Sequence, residues 1–145
     1  MRLTVMSDYS LRVLMYLGAK PERLATIKEI SLAYGISENH LMKVVHRLAQ
    51  HGFVETLRGR GGGLRLGKPA DAMTLGEILR VTEEDFELVE CFGSKDNCRI
   101  TKVCRLKRAL RRALDAYFEE LDAWTLADIV ANRKALINEL QPLRD

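Results

Sequence analysis

Apolar residues recur at helical spacing near the start of the chain. Leu11, Leu14 and Leu17 lie three residues apart, and Tyr16 extends the same apolar face. This spacing is typical of an amphipathic helix that packs one side against a core. The pattern predicts a first helix over about Asp8 to Gly18.

Two shorter helices separated by a tight turn follow. Thr26 to Glu29 has the residue order of a capping box and predicts a helix through about Tyr34, which Gly35 ends. Ser37 is suited to cap the next helix. Two short helices joined by a glycine-containing turn are typical of a helix-turn-helix. The second helix is predicted to bury Leu41, Val44, Val45 and Leu48 and to expose Glu38, Asn39, His40, Lys43, His46 and Arg47.

The apolar period then changes from helical to alternating. Phe53 to Leu57 and Leu64 to Leu66 predict two paired strands around the glycine-rich segment 58–63. A β-hairpin directly after a helix-turn-helix is a wing. The predicted fold class is therefore mainly α, a winged helix-turn-helix DNA-binding domain with a β-hairpin wing and, later in the chain, a long dimerisation helix.

The second half of the chain predicts further helices around a loop. Pro69 and Asp71 indicate a connection, and Thr74 to Glu77 predicts a capping box that opens a helix with Leu75, Ile78 and Leu79 inward. Residues 88–104 are predicted to form a loop that carries every cysteine. We expect two regions, a DNA-binding region over residues 1–70 and, over residues 71–145, a region that contains the cysteine loop and the dimerisation helices.

A long helix is predicted from Cys104 onward. Its apolar positions alternate between four-residue and three-residue steps, which is typical of a coiled-coil seam, although the run is short. Thr125 to Asp128 is predicted to cap a final helix. The seam consists of Leu106, Leu110, Ala113, Tyr117, Leu121 and Trp124.

Charge is unevenly distributed between the two halves. Residues 1–70 carry 11 Lys and Arg against 5 Asp and Glu, a net charge of +6, whereas residues 71–145 carry 12 against 15, a net charge of −3. A basic half favours phosphate binding. The same excess of Lys and Arg is also compatible with an ordinary solvated surface. The start of the chain lacks the features of a signal peptide, and no run reaches the ~20 apolar residues of a membrane span. We therefore expect a cytoplasmic protein without a membrane partner.

The recognition helix and the wing carry the side chains expected to contact double-stranded DNA. Asn39 is suited to adenine, and Lys43 and Arg47 are suited to guanine or phosphate. Arginines between glycines at the wing tip suit a narrow minor groove. Each residue alone is also compatible with a solvated surface. The predicted DNA-binding residues are Ser37, Glu38, Asn39, His40, Lys43, Arg47, Arg58, Arg60 and Arg65.

The three cysteines form a C-x6-C-x5-C pattern. Cys91, Cys98 and Cys104 are clustered within one predicted loop, and three thiolates suit an iron–sulfur cluster or zinc. The pattern lacks the CxxC pairs of structural zinc sites, and no histidine lies nearby. Three unrelated cysteines are the alternative. The basic run 102–112 is compatible with a solvated helix face, with DNA contact or with compensation of cluster charge.

Several segments together resemble the iron–sulfur winged-helix transcriptional regulators of the NsrR/IscR family. The resemblance covers essentially the whole chain, and Cys104 to Leu110 with Thr125 to Asp128 favours the nitric-oxide-sensing NsrR type. The other matching segments are Met1 to Thr4, Asp8 to Arg12, Arg58 to Leu64 and Leu66 to Pro69, with the three cysteines.

The resemblance implies a homodimeric repressor that binds a pseudo-palindromic promoter operator and releases it when nitric oxide destroys the cluster. It implies Cys91, Cys98 and Cys104 as ligands, with Asp8 of the partner subunit completing a 4Fe–4S cluster. The IscR type has a histidine three residues after the last cysteine, where this chain has Lys107, so a 2Fe–2S cluster is disfavoured. The six-residue gap after Cys91 is longer than the NsrR pattern, and a longer loop closes at small entropic cost.

Three alternatives to nitric-oxide sensing remain at the level of sequence. One is a regulator that senses iron–sulfur status or redox state, and another holds zinc on its cysteines. The third, from a different class, is an iron–sulfur electron-transfer protein or enzyme. The chain shows no acid–base pair, nucleophile triad or phosphate loop, and its GRGGG run lies between strands. An enzyme is therefore not expected.

Overall fold

The computed structural model describes residues 2–141. It is mainly helical, with one two-stranded antiparallel sheet, and this confirms the predicted fold class. Two short 3-10 turns, Ala70–Ala72 and Glu90–Phe92, lie in the connections. The regular elements are α1 Val5–Ala19, α2 Ile27–Tyr34, α3 Glu38–Gln50, β1 Val54–Leu57, β2 Gly63–Leu66, α4 Leu75–Thr82, α5 Arg105–Asp122, α6 Leu126–Ile129 and α7 Arg133–Glu139.

Helix α1 begins one turn earlier than the apolar spacing predicted. Thr4 is the N-cap, and its hydroxyl accepts a hydrogen bond from Ser7 N at 3.2 Å. The predicted start at Asp8 was wrong because Val5 lies on the outer face, where it is 58% exposed, and adds nothing to the apolar stripe. The cap, rather than the stripe, determines where this helix starts.

The helix-turn-helix has the predicted boundaries and caps. The Thr26 hydroxyl accepts from Glu29 N, and the Glu29 carboxylate accepts from Thr26 N, which completes the capping box. Gly35 ends α2 with a left-handed backbone at φ 66°, a conformation that glycine adopts without strain. The predicted stripe of α3 is buried, as expected: Leu41, Val44, Val45 and Leu48.

The wing is an antiparallel pair of strands with an additional partner. Val54 is paired with Leu66 and Leu57 with Gly63. Leu64 also exchanges two backbone hydrogen bonds with Ala25, at 2.7 and 3.0 Å, just before α2. Sequence reasoning missed this bridge because a one-residue pairing leaves no periodic pattern. It fastens strand β2, near the turn of the hairpin, to the segment just before α2.

The hydrophobic core continues across residue 70. Met73, Ile78, Leu126 and Val130 belong to the same buried cluster as the core of the helix-turn-helix. Backbone hydrogen bonds from Leu75 N to the Trp124 carbonyl and from Leu126 N to the Met73 carbonyl join the two ends of the second half. The boundary at residue 70 therefore stays a prediction about function, since packing does not separate the two regions.

The predicted seam is partly exposed in the single chain. Its exposed members are Leu106, Ala113 and Trp124, which lies beyond the end of α5, and its half-buried members are Leu110, Tyr117 and Leu121. Leu106 is 63% exposed and Trp124 is 46% exposed, whereas Leu114, outside that seam, is the buried residue of α5. The final helix predicted from Thr125 ends after four residues, and α7 follows as a separate helix. The Thr125–Asp128 capping box is present, so the cap was right, but the helix that it opens is not the final one, because α7 follows. Over residues 2–141, none of the helices combines the length and apolar character needed to cross a bilayer.

Candidate nucleic-acid interface and cysteine loop

The first turn of the recognition helix α3 is exposed. The Ser37 hydroxyl accepts a hydrogen bond from His40 N at 3.3 Å and so caps the helix. Glu38 and Asn39 extend from this turn into solvent. The His40 ring packs against the Tyr9 ring of α1, with 6.0 Å between the ring centroids. The N-terminal end of the recognition helix is therefore in contact with the first helix.

The predicted basic residues of α3 have different surroundings. Lys43 is exposed on the same face as Asn39. Arg47 is also largely exposed, but its Nε donates a hydrogen bond to the Val81 carbonyl at 2.9 Å. Arg47 therefore ties α3 to α4 in this structure, whereas Lys43 extends from the helix toward solvent.

Met42 is a candidate contact residue that the sequence reasoning missed. It is 50% exposed and lies beside Asn39 on the outer face of α3. Helical spacing alone places it there, because it follows Asn39 by three residues. An exposed apolar side chain on a recognition helix is suited to contact a thymine methyl group.

The wing tip presents two arginines on a glycine framework. Arg58 and Arg60 are exposed, and the intervening Gly59 has φ 96°. At Gly62 a Cβ atom would overlap the Leu57 carbonyl oxygen. Only glycine therefore fits this turn, which keeps the tip narrow.

Arg65 lies on the wing strand rather than at its tip. It is directly opposite Glu55, and the two side chains form an ion pair at 2.8 Å with about half of each side chain exposed. This hydrogen bond and ion pair lower the pKa of Glu55. A cross-strand pair of this kind stabilises the hairpin modestly.

The cysteine loop holds three free, partly exposed thiols. Cys91 lies in the 3-10 turn Glu90–Phe92, and Cys104 is the N-cap of α5, where its Sγ accepts a hydrogen bond from Lys107 N at 3.4 Å. Within residues 2–141, no three His, Cys, Asp or Glu side chains converge closely enough to hold a metal. The single chain therefore does not bring all three cysteines to one point. As donors, three accessible thiols within one loop fit the soft ligation that iron–sulfur clusters require.

Asp8 lies on α1, about one turn from its start. Its carboxylate forms an ion pair with Arg12 at 2.8 Å, and both side chains are more than two-fifths exposed. The Arg12 guanidinium also lies over the rings of Tyr9 and Tyr34, at 5.7 and 5.9 Å from their centroids. Asp8 is thus adjacent to the aromatic residue that contacts the recognition helix.

An exposed recognition helix, a basic wing and the core that joins them define a winged helix-turn-helix regulator that binds DNA. A family model described as an iron-dependent transcriptional regulator, Rrf2, matches residues 3–132. The chain belongs to the Rrf2 family of transcriptional regulators.

Comparisons with individual proteins agree with this assignment. The chain is 51% identical over 143 residues to the HTH-type transcriptional regulator NsrR of Bacillus subtilis, covering 97% of this chain and 98% of that one. Its fold is similar to that of CymR (YrzC), the global cysteine regulator of B. subtilis, with TM-score 0.71 and 29% identity over 91% of this chain and 98% of that chain. T. potens IscR shares the fold at TM-score 0.74 and 23% identity, covering 100% of this chain and 94% of that chain.

Proposed function

We propose that the chain is a cytoplasmic, homodimeric repressor that binds a pseudo-palindromic promoter operator and releases it in response to nitric oxide. The observation that carries the proposal is the position of the three thiols. All of them lie in the loop that leads into α5, the helix whose apolar seam is partly exposed. The 51% identity to a regulator named NsrR supports nitric oxide as the signal.

In this proposal the DNA is read by two copies of the winged helix-turn-helix. Asn39 and Lys43 contact bases, Ser37, Glu38 and His40 complete the first turn, and Arg58 and Arg60 contact the minor groove. Arg47 and Arg65, which have partners within the chain, contribute mainly through phosphate attraction. Pairing of the exposed seam of α5 with a second copy places the two recognition helices about one or two DNA turns apart.

The proposed cofactor is a 4Fe–4S cluster held by Cys91, Cys98 and Cys104 and by the partner subunit's Asp8. Three thiolates leave one iron for a carboxylate oxygen, a harder and weaker donor than sulfur. A bound cluster supplies iron that nitric oxide attacks. Lys107 stands where the IscR type has a histidine. An ammonium group has no free electron pair, so Lys107 is a poor metal ligand and a 2Fe–2S cluster of that type is disfavoured.

When the cluster is lost, the cysteine loop no longer binds the partner subunit's Asp8. This change reaches the partner's winged helix-turn-helix (the reading head, residues 1–70) through α1. The partner subunit's Asp8 is followed by Tyr9, whose ring contacts His40 in the recognition helix. When the loop no longer binds Asp8, the Asp8 carboxylate is free to pair with Arg12 of its own chain, as it does in the single chain. Cluster integrity and DNA affinity are then linked, since one dimer geometry favours both.

The test is anaerobic purification with iron and sulfide quantified, followed by nitric-oxide titration with operator binding as the readout. Cys91→Ala, Cys98→Ala and Cys104→Ala are each expected to lose most of the iron, because solvent replaces a thiolate poorly. Ser94→Ala, in the same loop, is the matched control and should retain wild-type iron.

Three outcomes would contradict the proposal in different ways. A cysteine variant with wild-type iron content would remove that residue from the ligand set. Zinc in place of iron and sulfide would replace the cofactor. Operator release on oxidation or iron depletion, but not with nitric oxide, would replace the effector and leave a redox or iron–sulfur-status sensor.

A further inference from the structure

Asp96 ties together the loop around the second cysteine. Its Oδ1 accepts hydrogen bonds from the Thr101 hydroxyl at 2.7 Å and from Cys98 N at 3.1 Å. Its Oδ2 lies 3.5 Å from Lys107 Nζ of α5. One carboxylate thus joins the backbone at Cys98 to the long helix.

Lys107 has a second contact that completes this connection. Its backbone N–H donates to Cys104 Sγ at 3.4 Å. Lys107 therefore contacts Asp96 through its side chain and Cys104 through its backbone. The side chains of Asp96 and Lys107 are only 27% and 33% exposed, so solvent screens their ion pair less than it screens a surface pair.

The first cysteine is anchored to the same face of α5. The Arg111 guanidinium lies 4.0 Å from the centroid of the Phe92 ring, and Phe92 directly follows Cys91. Lys107 and Arg111 are four residues apart and so are neighbours on one helix face. This face of α5 therefore contacts Phe92, which follows Cys91, and Asp96, which lies two residues before Cys98.

We propose that Asp96 is a positioning residue that, through Lys107, holds Cys98 and Cys104 in place for a shared ligand. The inference rests on the proposed function, in which these cysteines act together. A free five-residue interval between Cys98 and Cys104 samples many conformations, and fixing each of its residues costs backbone entropy. Contacts present before the ligand binds reduce the ordering that binding requires.

The first test measures affinity of the metal-free, full-length protein for cobalt(II) by its thiolate absorption bands. Asp96→Ala is expected to weaken binding about tenfold, the lower end of the effect of removing a group that orients metal ligands. Asp96→Asn keeps one oxygen that can accept from Thr101 and Cys98 N, but it loses the charge and replaces the oxygen that faces Lys107 with an NH2 donor. This variant should lie between alanine and wild type. Lys107→Ala should weaken binding, and Lys107→Arg should restore most of it.

A second measurement does not require metal. In a Cys91→Ser background, a bifunctional bromobimane can bridge only Cys98 and Cys104. Asp96→Ala should lower the bridged fraction at least threefold. The matched control is Asp85→Ala: Asp85 accepts from Glu87 N at 2.9 Å in the same kind of turn, and within the described residues it makes no hydrogen bond or ion pair to α5.

These measurements separate the inference from the proposed function. Wild-type cobalt affinity and bridging in Asp96→Ala, or no bridging in the Cys91→Ser parent, would overturn the positioning role. Additive losses from Asp96→Ala and Lys107→Ala would also overturn it, because residues acting through one contact are non-additive. Bridging that depends on Asp96, in a protein that never retains iron, would support the positioning role and refute the cluster.

Discussion

A single carboxylate, that of Glu29, connects the end of α1 to the start of α2. The Tyr16 hydroxyl donates to it at 2.6 Å, the Arg23 guanidinium forms an ion pair with it, and it completes the Thr26 capping box. Chiefly because of the Arg23 hydrogen bond, the pKa of Glu29 falls to about 2. Burial, more than the neighbouring carboxylate, raises the pKa of Tyr16 above its usual range. The helix-turn-helix therefore depends on a charged Glu29.

Glu29→Gln is expected to lower the free energy of unfolding at pH 7 by on the order of 1–2 kcal/mol, because hydrogen bonds to a charged acceptor are stronger than those to an amide. The folded-state pKa is depressed, so this stabilisation is present above about pH 4.5 and is lost as pH falls toward 2. Urea unfolding across this range should show the wild-type advantage shrinking in acid. Glu84→Gln, an exposed change, should show no such trend.

Exposed residues of the reading head should differ in how they affect operator binding. Asn39→Ala is expected to cost about 1–3 kcal/mol, mainly at one base position, because a bidentate contact reads one base. Arg60→Ala should weaken binding to all sequences similarly and reduce its salt dependence. Binding to a panel of single-base operator variants distinguishes the two patterns. An equal loss across the panel for Asn39→Ala would remove it from base recognition.

At the scale of elements, the wing depends on its backbone more than on its side chains. Two four-residue strands are marginal alone, and the Ala25–Leu64 bridge extends their pairing to the helix-turn-helix. The tip turns through left-handed glycines, with Gly62 N donating to the Gly59 carbonyl at 3.0 Å. This geometry presents Arg58 and Arg60 together at the end of the hairpin.

Gly62→Ala should distort the wing and leave the core intact. The added Cβ would meet the Leu57 carbonyl oxygen, so the strand end must move. We expect at least a tenfold loss of operator affinity, about 1.4 kcal/mol, with unchanged helical circular dichroism. Gly18→Ala is the control: its Cβ would lie 3.5 Å from the Val130 methyl carbons, an ordinary contact. Wild-type affinity in Gly62→Ala would show that the wing does not contribute.

At the scale of the whole molecule, α1 is the shared element. It packs against α3, α4, α6, α7 and β2, and it carries both Asp8 and Tyr9. In the proposed dimer, a second copy covers the exposed seam positions, such as Leu106. In the proposed dimer, each cysteine loop meets the other chain's α1, so the state of one subunit's loop influences the other subunit's reading head.

Mixed dimers test ligation between subunits. When an Asp8→Ala chain pairs with a Cys98→Ala chain, ligation in trans leaves one site with three cysteines and an intact Asp8, and the other site lacking both. Ligation within one chain leaves no intact site. The expected result is half the wild-type cluster content, with a wild-type spectrum. The Asp8→Ala homodimer should assemble a cluster with an altered spectrum, and the same altered spectrum in the mixed dimer would refute the trans assignment.

Local signals in the sequence were sufficient to predict the helix-turn-helix and the cap at Thr125. The caps at Thr26, Ser37 and Thr125, the left-handed Gly35 and the stripe of α3 all occur as predicted. Each depends on residues within one or two turns, so neighbouring sequence carries the information. The predicted start of α1 was wrong because it depends on a cap outside the apolar stripe. The helix that Thr125 opens was expected to be the last one, and α7 follows it.

Local periodicity, caps and composition were enough to predict a winged helix-turn-helix with three thiols in one loop. Folding in three dimensions is needed to see which charged residues already have partners: Arg47 with α4, Arg65 with Glu55, and Lys107 with Asp96. The tertiary structure also decided that the core crosses residue 70 and that the wing is fastened at Ala25. These contacts join residues far apart in the sequence or depend on side-chain direction, and residue spacing along the chain specifies neither.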